Sequence, residues 1–368
     1  MNKRRWGILL LSGLTLALLC ACGGKENGEA SSSAPGSASI PDGPAVSAIA
    51  PVEEDPVYPY ANPLTGEGLY EDISGKRPVA VMFNNLKKAL PQIGVSKADV
   101  LYEVVAEGGI TRIMGVYQDL EGVGELGSIR SARDYYVSLA LGHDAIYIHA
   151  GGSPQAYEAF SAWGVTNIDF VNGPYGDMCW RDPERRQAAG LEHSLFTSSE
   201  KILEQMPSRF RLEREEDYEA DWWSFSGQPS GEGTPAVKLT VPFSNYKTGY
   251  FTYDPDAEQY FIRQNLDGED IPYIDGATNE PVGVSNVFVL YTDVGLIPGD
   301  AAGRMSVRTT GAGDGLFLRN GQLYEITWSR DKRTDQFFFL DSSGQALYMA
   351  PGPSYINIVS TSAQVTWE

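Results

Sequence analysis

The chain has 368 residues, of which 42% are hydrophobic, and its formal net charge is −20 at pH 7. That length can bury one large core or two ordinary ones. The negative charge argues against a nucleic-acid-binding role, because phosphate binding needs a basic surface. It also argues against peripheral attraction to anionic lipids.

The N-terminus, MNKRRWGILLLSGLTLALLCAC, has the pattern of a bacterial lipoprotein signal. Basic residues precede an uncharged apolar run that is too short for a comfortable transmembrane helix. The stretch Leu19-Cys20-Ala21-Cys22 predicts a signal peptide over 1–21 and acylation of Cys22. An ordinary secretory signal cleaved nearby is the alternative. We therefore expect a chain held in the cell membrane by lipid on Cys22, on the extracytoplasmic face.

The segment 22–57 is rich in Ser, Ala, Gly and Pro and has few bulky apolar residues. It cannot bury enough surface to fold, so we expect a disordered tether between the membrane and the folded part. Once Cys20 leaves with the signal and Cys22 is acylated, Cys179 is the remaining thiol. The mature chain then has no intramolecular disulfide, and its stability depends on an ordinary core.

Residues 58–221 are predicted to form an α/β domain, because apolar strand patterns alternate with helical spacing. The predicted strands are at 77–85, 98–107, 112–120, 145–150 and 166–171. The predicted helices are at 128–144, capped by Ser128, in the stretch that begins at Ser153, and at 196–206, capped by Thr197 or Ser198.

Residues 222–368 change to short β-rich runs separated by turns. The sequences RNGQ at 319–322 and SSGQ at 342–345 are typical of hairpin turns between antiparallel strands. We expect an antiparallel β-rich domain, a small barrel or a sandwich. The whole chain is therefore predicted to have a mixed, α+β fold.

Polar residues follow the predicted strands of the first domain. Asn84, Glu107 and His149 each stand at or after a strand end, and ligands of open α/β sheets favour that edge. After His149, the glycine pair permits close backbone approach, so the backbone amides there predict an anion cradle: Gly151, Gly152 and Ser153. The alternative is a tight strand-to-helix turn in which His149 is a hydrogen-bonded core residue.

Three arginines could bring positive charge to the same region: Arg112, Arg130 and Arg133. Guanidinium groups suit carboxylate or phosphate, and a bound anion would explain cations near a helix N-terminus. The alternative is internal pairing, of Arg112 with Glu107 and of Arg133 with Asp134 or Glu125. His193 is either a further site residue or a structural loop residue.

A catalytic role would use Glu107 or His149 as general base, with the arginines stabilising developing charge. No Gly-x-Ser-x-Gly nucleophile motif is present around Ser153. A zinc site from His149, His193 and Glu107 lacks any supporting motif, so neither a metal nor another cofactor is predicted.

Several motifs in order resemble the YerB-type family of bacterial lipoproteins: NPLTG at 62–66, RPVAVMFNN, EVVAEGGITR, SIRSAR, HAGGSP and HSLFTS. The second half is similar to that family's C-terminal domain. The resemblance implies a two-domain, membrane-anchored, extracytoplasmic protein without a known activity. The family's hallmark positions fall on Asn84, Glu107, Gly108, Gly109, Thr111, Arg112, Arg130, Arg133, His149, Gly151, Ser153 and His193.

One departure concerns the second domain, where relatives often have a His before an Asp and this chain has Tyr273 and Asp275. A metal or acid–base role for that loop is therefore not expected. Three functional hypotheses follow from the sequence. The first is binding of an anionic cell-envelope ligand, such as a carboxylated or phosphorylated wall fragment. The others are a wall-active hydrolase or transferase and an adapter that recruits an envelope protein through the β-rich domain.

Overall fold

The computed structural model describes residues 56–215, 218, 223–229 and 231–368. Three predictions concern residues outside this set: the signal peptide 1–21, the acylation site Cys22 and the tether up to residue 55. Residues 56–368 form one compact unit.

The first half of the described chain contains most of the helical structure. Its elements are β1 (Tyr60–Ala61), β2 (Gly68–Leu69), β3 (Val79–Asn84), β4 (Val100–Val105), β5 (Thr111–Tyr117), β6 (Glu125–Gly127), α1 (Asp134–Gly142), β7 (Ile146–His149), α2 (Pro154–Trp163), β8 (Asn167–Asp169), β9 (Cys179–Arg181), α3 (Pro183–Ala189), β10 (Leu195–Ser198) and α4 (Ser199–Gln205).

The second half is built from strands. They are β11 (Ser224–Phe225), β12 (Thr234–Pro235), β13 (Lys238–Pro242), β14 (Lys247–Asp254), β15 (Gln259–Leu266), β16 (Glu269–Pro272), β17 (Ile274–Asp275), β18 (Glu280–Pro281), β19 (Gly283–Val284), β20 (Asn286–Thr292), β21 (Val294–Leu296), β22 (Met305–Val307), β23 (Gly311–Arg319), β24 (Gln322–Arg330), β25 (Phe338–Asp341), β26 (Tyr348–Met349), β27 (Ser354–Ser360) and β28 (Thr366–Trp367). The predicted fold class, a mixed fold with an α/β half and a β-rich half, is confirmed.

A long central sheet contains strands from both halves, in the order β12-β24-β23-β20-β27-β4-β5-β3-β7-β8, with β25 beside β24. The two halves join where β27 pairs with β4 in parallel, from Ser354 opposite Val100 to Ile358 opposite Val104. A second sheet, β16-β15-β14-β13-β28, belongs to the second half. The predicted domain boundary between 221 and 222 stays a prediction, but hydrogen bonds of one sheet connect the two sides of it.

The middle strands β3, β4 and β5 of the central sheet are buried on both faces, and the alternation of side chains along each strand separates two cores. In β3, Val81 and Phe83 belong to the core that also contains Leu239 and Phe251 of the second sheet. Met82 belongs to the opposite core, whose other members include residues of α1 and α2. Two successive residues of a strand therefore contribute to different layers.

The helix predicted over 128–144 begins only at Asp134, and the prediction that Ser128 caps it is wrong. Arg133 occupies the N-cap position and makes no side-chain capping bond. Residues just before it are extended, because their backbone groups bond to neighbouring strands instead of to a helix. The predicted cap Ser198 is confirmed, since its hydroxyl accepts from the amide of Lys201.

Asp275 connects the second half to the first half through a buried carboxylate, which is 0% exposed. One oxygen accepts from the amide of Gly94 at 3.0 Å, and the other accepts from the amide and the hydroxyl of Ser96 at 2.8 and 2.6 Å. Hydrogen bonds to a buried charged group are among the stronger ones in proteins. Asp275 therefore has a structural role. It lies in the loop where relatives often have a His before the Asp, a pattern that would suggest metal or acid–base chemistry.

We predict that Asp275→Ala lowers the free energy of unfolding by about 3 kcal/mol, because the substitution leaves the buried amide of Gly94 and the partly buried donors of Ser96 without an acceptor. Urea titration of the purified protein would measure the loss.

The matched control is Asp270→Ala in the same half. Its carboxylate pairs with Arg263 at 3.2 Å, and both side chains are about half exposed, at 52% and 47%. Exposed pairs contribute less than about 1 kcal/mol. Equal losses for the two variants would contradict the role assigned to Asp275.

Candidate functional site

The extended segment 128–132 lies in a fork between β3 and β7. These two strands pair in parallel for three residues and then diverge. Beyond that point the amide of Arg130 donates to the carbonyl of Met82 at 2.7 Å, and the amide of Ala150 donates to the carbonyl of Arg130 at 3.0 Å. The segment thus fills the crevice beyond the carboxyl ends of the strands, which is the edge where open α/β sheets bind ligands.

Glu107 binds two of the predicted arginines. Its Oε2 accepts from Nη2 of Arg112 at 3.3 Å, and its Oε1 accepts from Nε of Arg133. The sequence had offered internal ion pairs as the alternative to an anion site, and the pair of Arg112 with Glu107 is present. Arg133 also pairs with Glu107, and not with Asp134 or Glu125 as that alternative predicted. Arg112, Arg133 and Glu107 therefore form one compact cluster.

The cluster of Arg112, Arg133 and Glu107 holds two positive charges and one negative charge in a largely buried place, where the three side chains are 4%, 11% and 19% exposed, respectively. Burial alone would raise the pKa of Glu107, but the hydrogen bond from Arg133 and the charge of Arg112 outweigh it and hold that pKa below its usual value. Burial also lowers the pKa of Arg112 to about 10, which leaves it a cation at neutral pH. A carboxylate held ionised by two arginines is a weak general base.

His149 is a core residue in this structure, 0% exposed. Its Nδ1 is 2.8 Å from the carbonyl oxygen of Gly151 and its Nε2 is 3.2 Å from Oδ1 of Asn167. The ring stacks against Phe160, with centroids 4.7 Å apart. Burial lowers the pKa of His149, so the neutral form is favoured. A general base must reach the proton that it removes, and this ring is closed off by its neighbours.

Two of the three backbone amides predicted as an anion cradle, those of Gly151 and Ser153, are already bonded within the protein. The amide of Gly151 donates to Oδ1 of Asp169 at 2.8 Å, and the amide of Ser153 donates to the carbonyl of Ala132 at 3.2 Å. The hydroxyl of Ser153 caps α2 by accepting from the amide of Ala156 at 3.1 Å. The carboxylate of Asp169 thus occupies the place that the sequence had suggested for a ligand anion.

Asn84 and His193 lie together at the carboxyl end of β3. Nδ2 of Asn84 is 2.8 Å from Nδ1 of His193, and the imidazole is 9% exposed. Burial and then the charge of Arg130 lower the pKa of His193, which suits a neutral ring that accepts from the amide. The residue before His193, Glu192, accepts from Nη2 of Arg130 at 2.8 Å. The segment around His193 therefore brings Asn84 and Arg130 to one edge.

An open cleft of about 390 Å³ lies beside this edge. The polar side chains that line it are those of Arg130, Ser131, Tyr157, Asn172, Arg181 and Glu192. Gly151 and Gly152 contribute backbone to its wall. The other predicted site residues do not line it: Asn84, Glu107, Arg112, Arg133, Ser153 and His193, together with His149. The predicted set is thus divided between the cleft and the structure that supports it.

The sequence did not single out Arg181, Asp169 or Tyr157. Arg181 belongs to β9, a short strand that carries no distinctive motif. Asp169 is the last residue of β8, and ligands of open α/β sheets favour the carboxyl ends of strands, so the same argument that selected Asn84 and His149 could have selected it. Its Oδ2 accepts from the hydroxyl of Tyr157 at 2.7 Å. Long-range pairing of this kind is not visible in a local motif.

Two further observations concern metal binding and membrane-spanning helices. Within residues 56–215, 218, 223–229 and 231–368, no group of three or more His, Cys, Asp or Glu side chains is arranged to hold a metal ion. Over the same part of the chain, every helix is too short or too polar to cross a membrane.

Comparisons with known proteins agree with the motifs. Residues 64–213 match the N-terminal domain, and residues 239–356 the C-terminal domain, of the family described as "Protein of unknown function (DUF3048)". The Bacillus subtilis (strain 168) protein named "Putative lipoprotein YerB" is 30% identical over 300 residues, which cover 81% of this chain and 85% of that protein.

A solved structure gives the same result. The crystal structure of the YerB protein from Bacillus subtilis is similar, with a TM-score of 0.70 and 28% sequence identity. The similarity covers 83% of this chain and 99% of that chain. The resemblance drawn from the sequence is therefore confirmed, and this chain belongs to the YerB-type family of bacterial lipoproteins, which pair the N-terminal and C-terminal DUF3048 domains.

Proposed function

We propose that this lipoprotein is anchored outside the cytoplasm through Cys22 and binds an anionic cell-envelope ligand in the cleft between Arg130 and Arg181. One observation carries the proposal: guanidinium groups from two separate segments line a single open cleft. The acidic residue among the described residues of that lining is Glu192. The lining therefore carries two guanidinium groups and one carboxylate, on a chain whose formal net charge is −20.

The pair between Arg130 and Glu192 leaves room for a ligand. The side chain of Glu192 is 69% exposed, whereas that of Arg130 is 19% exposed. A pair with one partner this exposed is weak, so a ligand carboxylate or phosphate can displace Glu192 at little cost. Nε of Arg130 is buried and has no hydrogen-bond partner among the described residues. A planar guanidinium suits two-point binding of carboxylate or phosphate.

The ligand class follows from the cleft and from the compartment. Fragments of the cell wall, such as muropeptides or pieces of teichoic acid, carry carboxylate or phosphate groups on polar backbones. Side-chain hydroxyl and amide groups beside the arginines, on Ser131, Tyr157 and Asn172, match such a backbone.

Binding has more support than hydrolysis. Neither residue that the sequence suggested as general base lines the cleft: Glu107 is paired with two arginines, and His149 is buried with both ring nitrogens near protein oxygens. Recruitment of a protein through the β-rich half stays a prediction from the sequence.

We predict that Arg130→Ala and Arg181→Ala each weaken binding of wall fragments about tenfold or more, because each removes a charge-assisted hydrogen bond. A thermal-shift titration of the purified protein would measure this. A ligand at about a hundred times its dissociation constant stabilises the protein by about 2.7 kcal/mol, and the shift should fall in both variants.

Two variants complete the experiment. Glu192→Gln removes the competing carboxylate and should strengthen binding a few-fold. Arg263→Ala removes an exposed arginine on the second sheet, outside the cleft, and should leave binding unchanged. Equal effects of Arg263→Ala and Arg130→Ala would indicate unspecific attraction and would contradict the cleft as the binding site.

For the anchor, we predict that Cys22→Ser moves the protein from the membrane fraction to the soluble extracytoplasmic fraction or leaves it unprocessed, because the acyl chains have no attachment site. Fractionation with metabolic fatty-acid labelling would check this. Cys20→Ser should retain the label. Labelling that is lost with Cys20→Ser but kept with Cys22→Ser would place the lipid on Cys20 instead.

A further inference from the structure

A fully buried polar cluster lies in the core between the central sheet and the second sheet. Its centre is formed by Glu103 of β4, Lys247 of β14 and Asn85 directly after β3, which are 0%, 1% and 0% exposed. Aromatic residues adjoin it, since Nζ of Lys247 lies 5.8 Å from the ring centroid of Phe243 and Tyr355 contacts Glu103. A primary amine, a carboxamide and a carboxylate thus share a site that excludes water.

The carboxylate of Glu103 contacts both potential reaction partners. Its Oε1 is 3.0 Å from Nζ of Lys247 and 3.0 Å from Nδ2 of Asn85. Its orientation is fixed from two sides, because the hydroxyl of Tyr355 donates to Oε2 at 2.7 Å and the hydroxyl of Thr111 donates to Oε1. One oxygen atom can therefore take a proton from the amine and return it to the nitrogen of the amide.

The carbonyl of Asn85 also has a donor. Nε2 of Gln92 donates to Oδ1 of Asn85 at 3.0 Å, and Gln92 is 0% exposed. A buried donor aimed at a carbonyl oxygen stabilises the negative charge that develops when a nucleophile attacks the carbon. The cluster therefore contains a nucleophile, an electrophile, a proton carrier and an oxyanion donor.

Burial favours the reactive form of the amine. Desolvation lowers the pKa of Lys247, while the charge of Glu103 opposes that effect, and the net direction is downward. Transfer of one proton from Lys247 to Glu103 leaves both groups neutral in a medium where charges are costly. The uncharged amine is the nucleophilic form of lysine.

We propose that Lys247 and Asn85 form an intramolecular isopeptide bond, with Glu103 as the catalytic proton carrier. Nζ of Lys247 attacks Cγ of Asn85, the bond between Cγ and Nδ2 breaks, and a bond between Cγ and Nζ takes its place. Nδ2 leaves as ammonia after receiving a proton by way of Glu103. Of the protons at the site, one stays on the new amide nitrogen, three leave on ammonia and one stays on Glu103 as a neutral acid. No oxidant, reductant or further reactant is needed.

A second carboxamide lies near the amine, that of Gln264, but its geometry is less suitable. Its Oε1 accepts from Nζ of Lys247 at 2.8 Å and from Nδ2 of Asn85 at 3.1 Å. Nε2 of Gln264 is buried and makes no hydrogen bond within the described part of the chain. No acid is therefore in place to protonate that leaving group. Gln264 instead holds Lys247 and Asn85 side by side.

The bond would tie the two sheets together, and no disulfide does so among the described residues. Asn85 follows a strand of the central sheet, and Lys247 begins β14 in the second sheet. Cys179 is the free cysteine among the described residues, so a disulfide is not available to do this. The inference does not depend on the proposed ligand site, because none of its residues lines the cleft.

Peptide mapping of the full-length protein, purified in detergent and digested with trypsin after denaturation, tests the proposal directly. The expected result is a linked pair of peptides, one containing Asn85 and the other containing Lys247. The mass of the pair should be one ammonia below the sum of the two peptides, and trypsin should not cleave after Lys247. Cleavage after Lys247 together with an unmodified Asn85 peptide would overturn the proposal. A link from Lys247 to Gln264 would overturn the choice of Asn85.

Variants separate the chemistry from the packing. Glu103→Gln keeps a side chain of the same shape but cannot carry the proton, so its peptides should be found unlinked and its melting temperature should fall. Lys238→Arg changes an exposed lysine on the neighbouring strand β13, paired with Glu368 at 3.2 Å, and should leave the link intact. A complete link in Glu103→Gln would refute the role of Glu103. If Glu103→Gln does not fold, the map of the unaltered protein still decides whether the bond exists.

Discussion

The parallel pairing of β27 with β4 is the contact on which the architecture depends. It joins strands from the two halves into one sheet, and it places β20 and its hairpin partners on one side and β5, β3 and β7 on the other. Both faces of the middle strands of the sheet are covered, so successive residues of these strands contribute to one or the other of two cores. The two matched family domains therefore meet in one hydrogen-bonded layer, and neither presents β4 or β27 as a free edge.

Internal carboxylates satisfy most of the groups that look like anion receptors. Glu107 pairs with both Arg112 and Arg133, and Asp169 accepts from the amide of Gly151. These contacts order the segment that carries Arg130, which is the predicted arginine that also lines the cleft. In a binding site of this kind, most charged groups are paired within the protein, and only a few remain near solvent to contact a ligand.

The sequence was sufficient for the fold class and for the main strands of the first half, because period and apolar content indicate buried strands locally. It also predicted the pairing of Arg112 with Glu107 as one of two alternatives. It could not show that Arg133 shares that carboxylate, that His149 is closed off, or that Arg181 borders the cleft, since these depend on contacts between distant segments. Lys247 and Glu103 illustrate the limit most clearly. Each is a charged residue in an otherwise ordinary strand, and they are 144 positions apart in the sequence.

The place of β27 in the chain has a consequence for the order of folding. Its residues, Ser354–Ser360, lie within the last fifteen positions of the sequence, yet the strand stands between β20 and β4 in the central sheet. A chain synthesised from its N-terminus presents β4 long before β27, its neighbour in the sheet. The two halves of the central sheet therefore join late, because their pairing is between strands that are far apart in the sequence. Loss of the final fifteen residues would leave the two halves without the strand that joins them.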